Sequence, residues 1–130
     1  MVDVYPVRQI VNYPGQFIVQ QPASSVTISA NSSYTVSLTI PWGKTGLAVA
    51  PNITYAVSAS VGVYMYLYYS YDGVHYDNYT SQTAVLPFSA GATVQQTYIF
   101  PSVAPYVNIV LVNKDTTYSA VLNVLNVSIF

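Results

Sequence analysis

The chain has 130 residues, 52% of them hydrophobic and 15% aromatic, with three basic and four acidic side chains and no cysteine. That length suits one domain with its own core, and the missing cysteines exclude disulfides and thiolate metal sites. Charged residues make up 5%, against roughly 25% in an ordinary soluble domain, so no basic footprint exists for nucleic acid. High hydrophobicity excludes disorder. A surface of Ser, Thr, Asn, Gln and Tyr with so little charge favours association.

Residues 1–15, MVDVYPVRQIVNYPG, carry two prolines and no sustained period, and read as an extended arm. A short strand is predicted over 17–20, closed by Gln21-Pro22. Residues 25–30 place Val26, Ile28 and Ala30 on one face, and 34–40 do the same with Tyr34, Val36, Leu38 and Ile40. Two alternating runs about the polar Asn31-Ser32 turn predict an antiparallel hairpin. Residues 41–46 form a loop, 47–50 a brief strand before Pro51-Asn52, and 53–60 lead through Gly62 into the most informative stretch.

That stretch is 61–80, VGVYMYLYYSYDGVHYDNYT. Aliphatic and aromatic residues occupy both faces of its first half, so it must be covered on both sides. Asp72-Gly73 breaks it, as the strongest short hairpin signal does. Tyr55, Tyr64, Tyr66, Tyr68, Tyr69, Tyr71, Tyr76 and Tyr79 lie in or beside it, out of fourteen tyrosines in the chain. Further on, Pro87 places the strand at 84–88 on an edge or bulge. A strand follows over 93–100, and 106–112 with 118–129 predict a second hairpin about residues 113–117. Eight or nine short strands, frequent turns and no helical period predict an all-β fold: a single jelly-roll-like antiparallel β-sandwich over 16–130, with the 1–15 arm extended.

Little in this composition supports catalysis. Of the single histidine and the four carboxylates, only Asp72, His75 and Asp77 lie near one another in sequence, and strand alternation puts His75 and Asp77 on one face, where they can pair. No third group completes a catalytic set. Asp72, Asp77 and Asn78 supply too few oxygens for a calcium loop, and no cofactor is expected. Tyr64, Tyr66 and Tyr68 share a face. Aromatic faces stack on sugar rings, but tyrosine-rich, charge-poor surfaces also mark subunit interfaces, and the interface is the preferred reading. Asn31, Asn52 and Asn78 begin sequons at predicted turns and can accept glycans in a cell that glycosylates. Asn126, inside a predicted strand, is the poorest acceptor. The uncharged interval 46–70 has period two and several polar residues, so no spanning helix is expected, although a position near a membrane is compatible. The N-terminus lacks the apolar core of a signal peptide.

The segment Tyr69-Ser70-Tyr71-Asp72-Gly73-Val74-His75-Tyr76-Asp77 resembles a pattern frequent in phage and virus structural proteins, where the aromatic before the last Asp is usually Trp. A later hydrophobic strand in those proteins is similar to Ala104-Pro105-Tyr106-Val107-Asn108-Ile109-Val110-Leu111-Val112-Asn113. The same turn occurs in carbohydrate-binding sandwiches and adhesins. The composition also resembles small virion proteins of hyperthermophilic archaeal viruses, of the tail or nozzle and turret or vertex types. Archaeal pilus and thread subunits, which assemble by donating a strand, share it too.

The resemblance implies a non-enzymatic structural protein, located in a virion and partnered by copies of itself and other virion proteins. A cell-surface filament subunit and a module binding host-surface glycans are the alternatives. The expected assembly residues are Val2, Val4, Tyr5, Val7, Ile10 and Tyr13 in the arm, reaching a neighbour by main-chain pairing, with Tyr64, Tyr66 and Tyr68 on the tyrosine face.

Overall fold

A computed structural model of the protein describes residues 18–130. The expected arm, with Val2, Val4, Tyr5, Val7, Ile10 and Tyr13, lies outside the described residues. Nine strands follow one another among those described: β1 (Ile18–Ile28), β2 (Ser33–Thr39), β3 (Gly46–Tyr55), β4 (Val63–Ser70), β5 (Gln82–Val85), β6 (Thr93–Gln95), β7 (Tyr98–Pro101), β8 (Tyr106–Asn113) and β9 (Ala120–Ile129). One sheet has the order β2-β8-β4-β5, and the other β1-β9-β3-β6, with β7 also on β3. All the pairings are antiparallel.

The pairs are nested. β1 pairs with β9, β2 with β8, β3 with β6 and β7, and β4 with β5, as in one long hairpin folded back on itself. Successive nested pairs fall alternately in the two sheets, which is the winding of a jelly roll. Strand alternation fills the space between the sheets. Met65, Leu67, Ile109 and Leu111 from one sheet are fully buried with Leu47, Ile53, Leu122 and Ile129 from the other. Two buried tyrosines tie the sheets together. The Val63 N–H donates to the Tyr55 hydroxyl (3.1 Å) near one end, and the Tyr69 hydroxyl donates to the Pro101 carbonyl (2.7 Å) near the other.

Several sequence-based expectations need correction. Neither predicted hairpin exists: β1 and β2 lie in different sheets, as do β8 and β9. Alternation tells which residues share a face, not which strand is the partner, and both polar turns carry the chain across the sandwich. The strands predicted at 17–20 and 25–30 are one strand, β1, that runs through Pro22. Pro22 is tolerated because β1 is an edge, and the register against β9 slips between Leu125 and Val127. Likewise β3 runs unbroken through Pro51, opposite the interruption between β6 and β7. The strand predicted over 93–100 is split there. β5 is an edge strand and ends before Pro87, as the proline requires.

Candidate assembly surface

β4 sits between β8 and β5 and sends alternate residues to opposite faces. Val63, Met65, Leu67 and Tyr69 point into the core, while Tyr64, Tyr66 and Tyr68 form a half-buried row on the outer face. Strand registers place Val112, Val110 and Asn108 of β8 beside them, and Val85 and Thr83 of β5 beside Tyr64 and Tyr66. The Tyr64 and Tyr66 rings lie 6.4 Å apart, and the Lys114 ammonium sits 5.2 Å and 5.7 Å from their centroids. Such cation–π contacts are weak at exposed positions, but this one sets a cation at the edge of an otherwise uncharged face.

The other sheet's outer face has different chemistry. Asn123, at a register slip in β9, donates to Asn52 Oδ1 (2.9 Å) and Thr54 Oγ1 (2.8 Å). Asn52 donates onward to Gln95 (2.9 Å), Thr54 bonds Thr93 (2.6 Å), and Gln21 donates to Asn126 (2.9 Å). Amides and hydroxyls here satisfy one another across strands. Asn52 therefore lies within β3 with its side chain engaged on both sides, not at the expected turn. Asn31 and Asn78 are exposed between strands, as a glycan acceptor requires.

The two ends of the sandwich differ as well. At the first, the turns after β1, β3 and β8 converge on Asn113 and Asp115, both buried. Asn113 Nδ2 donates to the carbonyls of Ile28 (3.1 Å), Ser29 (3.3 Å) and Tyr118 (2.9 Å). The Asp115 carboxylate accepts the N–H groups of Ser60, Val61, Thr117 and Tyr118. These backbone donors, Ser60 first, pull its pKa from 3.8 down to about 2.

At the second end stand the loops 40–45, 71–81 and 102–105, carried by the neighbouring strands β2, β8 and β4. Trp42 is 100% exposed there, and Tyr71, Val74, Tyr79 and Val103 are largely so. Loops 40–45 and 102–105 bound a cavity of about 320 Å³ lined by Ile40, Pro41, Lys44 and Val103, with Trp42 on its rim.

His75 does not pair with Asp77. Its Nδ1 meets Asp72 Oδ2 at 2.7 Å, and Asp77 is instead within 3.5 Å of the Ser81 hydroxyl. The reason is the turn itself: Asp72 Oδ1 accepts the N–H groups of Val74 and His75, which swings residue 75 back over residue 72. Gly73, at φ 77°, takes the left-handed position, where a Cβ would press on the Tyr106 ring at 3.3 Å. The His75 N–H and side chain, with the Val74 N–H, hold the Asp72 carboxyl well below the usual carboxylate range. Both side chains are largely exposed.

Sequence reasoning did not single out Trp42 or the Asn113–Asp115 pair. The signals were present: a lone tryptophan among turn residues in Pro41-Trp42-Gly43-Lys44, and Asx residues two apart in Asn113-Lys114-Asp115.

No protein-family model matches the sequence, and no curated protein does. Among solved structures, 88% of the chain aligns with part of dimeric latent PorU from Porphyromonas gingivalis, at 17% identity and a TM-score of 0.49. The same share aligns with part of the infectious bursal disease virus Gt strain structure, at 13% identity and a TM-score of 0.39. The chain spans 12% of the first protein's length and 33% of the second's. The fold assignment rests on the chain's own strand order. No helix among the described residues is long and apolar enough to cross a membrane.

Proposed function

We propose that the protein is a non-enzymatic structural subunit of a virion, assembling with copies of itself into a ring, tail or nozzle, or vertex. By resemblance of composition, the virus is an archaeal one. The observation that carries the reading is the outer face of β4. Its row of three tyrosines is flanked by valines and contacted by one lysine, on a chain otherwise nearly free of charge. Uncharged aromatic surface of this kind is what subunit interfaces conceal. The Asp72–His75 pair supports a turn rather than chemistry, since the aspartate's oxygens are taken up by local N–H groups and the histidine.

The test is sedimentation over a concentration series, with electron microscopy of the concentrated protein and imaging of the source particle at subunit resolution. Closed oligomers that weaken on Tyr66→Lys are expected. A monodisperse monomer at high concentration would sink the proposal.

One observation favours a second reading, a glycan-binding adhesion module: the fully exposed Trp42 on the rim of the end cavity. Binding on a glycan array that Trp42→Ala removes, with Tyr66→Ala leaving it intact, would favour that reading.

A further inference from the structure

Each sheet ends in two edge strands, and three of the four edges carry devices that discourage pairing with another chain. β1 contains Pro22, a register slip and Ser25 at φ 54°. β5 has only four residues. β6 and β7, with three and four residues, are interrupted at Gln96-Thr97, and β7 ends in Pro101.

β2 has none of these. Ser33–Thr39 holds an unbroken register with β8 over all seven residues, with no proline, glycine or charge. Among the described residues nothing pairs with its other side. Half of its backbone groups are thus offered outward in strand geometry.

We propose that this edge pairs with the same edge of a second copy, across a two-fold axis at Val36, joining two four-stranded sheets into one of eight. The inference rests on the assembly reading above and names its contact. A two-fold axis normal to the sheet makes two copies of one strand antiparallel, as every pairing in this fold already is. The sequence is self-complementary about Val36. Exposed Thr35 falls opposite Ser37 and exposed Ser33 opposite Thr39, so hydroxyls meet hydroxyls. On the inner face Tyr34 meets Leu38, and Val36 meets itself. No charge opposes a charge anywhere along the seam. The tyrosine rows of the two copies then lie on one continuous surface.

The experiment compares two full-length double variants by analytical ultracentrifugation. Thr35→Lys with Ser37→Lys sets like charges opposite each other twice, and should raise the dimer dissociation constant roughly tenfold or more. Thr35→Asp with Ser37→Lys sets opposite charges across the same pairs, and should restore the dimer in a salt-sensitive way. Both variants lose the Ser37–Asn108 hydrogen bond, so that loss cannot separate them. Equal melting temperatures would show that both fold. An unchanged dimer in the first variant, or equal loss in both, overturns the pairing. So does loss of the dimer on Val4→Asp with Val7→Asp, which would make the arm the occupant of an interface. Particles that form normally from the first variant overturn this contact while leaving the assembly reading standing.

Discussion

The two ends of the sandwich are built from similar turns, yet one is closed and the other is left open. At the Asn113–Asp115 end, three loops are fastened to two buried polar side chains, and the backbone there has its partners inside the molecule. At the Trp42 end, Trp42, Tyr71, Val74 and Tyr79 stand largely in solvent on the loops. At the other end Val57 alone among the described large apolar side chains is comparably exposed. A buried polar network stabilises only if it is fully satisfied, so the first end serves the fold. Exposed aromatic side chains add nothing to the fold, so the second end is the one whose chemistry looks outward.

Five substitutions sharpen or break this contrast. Asn113→Ala should have the largest effect, about 3 kcal/mol in denaturant unfolding, because it strands buried carbonyls. Next comes a matched pair. Tyr55→Phe at the closed end leaves a buried N–H without its acceptor and should cost about 2 kcal/mol, whereas Tyr69→Phe at the open end should cost about 1 kcal/mol. Equal losses would argue against the asymmetry.

Asp115 should reveal itself in acid. Its folded pKa lies below its unfolded value of 3.8, so its contribution is complete above about pH 4 and is lost as pH falls to about 2. Asp115→Asn should lower the melting temperature at neutral pH and flatten that part of its acid dependence. Trp42→Ala should be the smallest, within about 0.5 kcal/mol of wild type, while altering whatever the open end contacts. A large loss of stability there would break the comparison.

The all-β class, the edge position of β5 and the turn at Asp72-Gly73 were legible in period-two alternation and in Pro and Gly placement. Partner choice was not. Residues 25–40 and 106–129 each read as hairpins because their alternation is regular, whereas the winding sends each second strand to the opposite sheet. Tyr64, Tyr66 and Tyr68 were legible as one face because side chains two apart must share it. The roles of Tyr55 and Tyr69 depend on residues brought in from other strands, Val63 and Pro101, and no local pattern announces those. Asn113 and Asp115 were hidden for a related reason: their donors and acceptors come from turns as distant as residues 28 and 60.

The nested pairing has a consequence for how the chain is made. The strand that joins β1 to β3 is β9, and the strand that joins β2 to β4 is β8, so both sheets take their hubs from the last quarter of the sequence. During synthesis the earlier strands emerge with neither hub to pair on, and Ile18 waits for Ile129. Such remote pairings are slow to form, and their unpaired edges are exposed meanwhile to aggregation. A nascent chain stopped before residue 106 therefore holds only the β4-β5 pair and the pairing of β3 with β6 and β7, and neither sheet is completed until β8 and β9 have emerged.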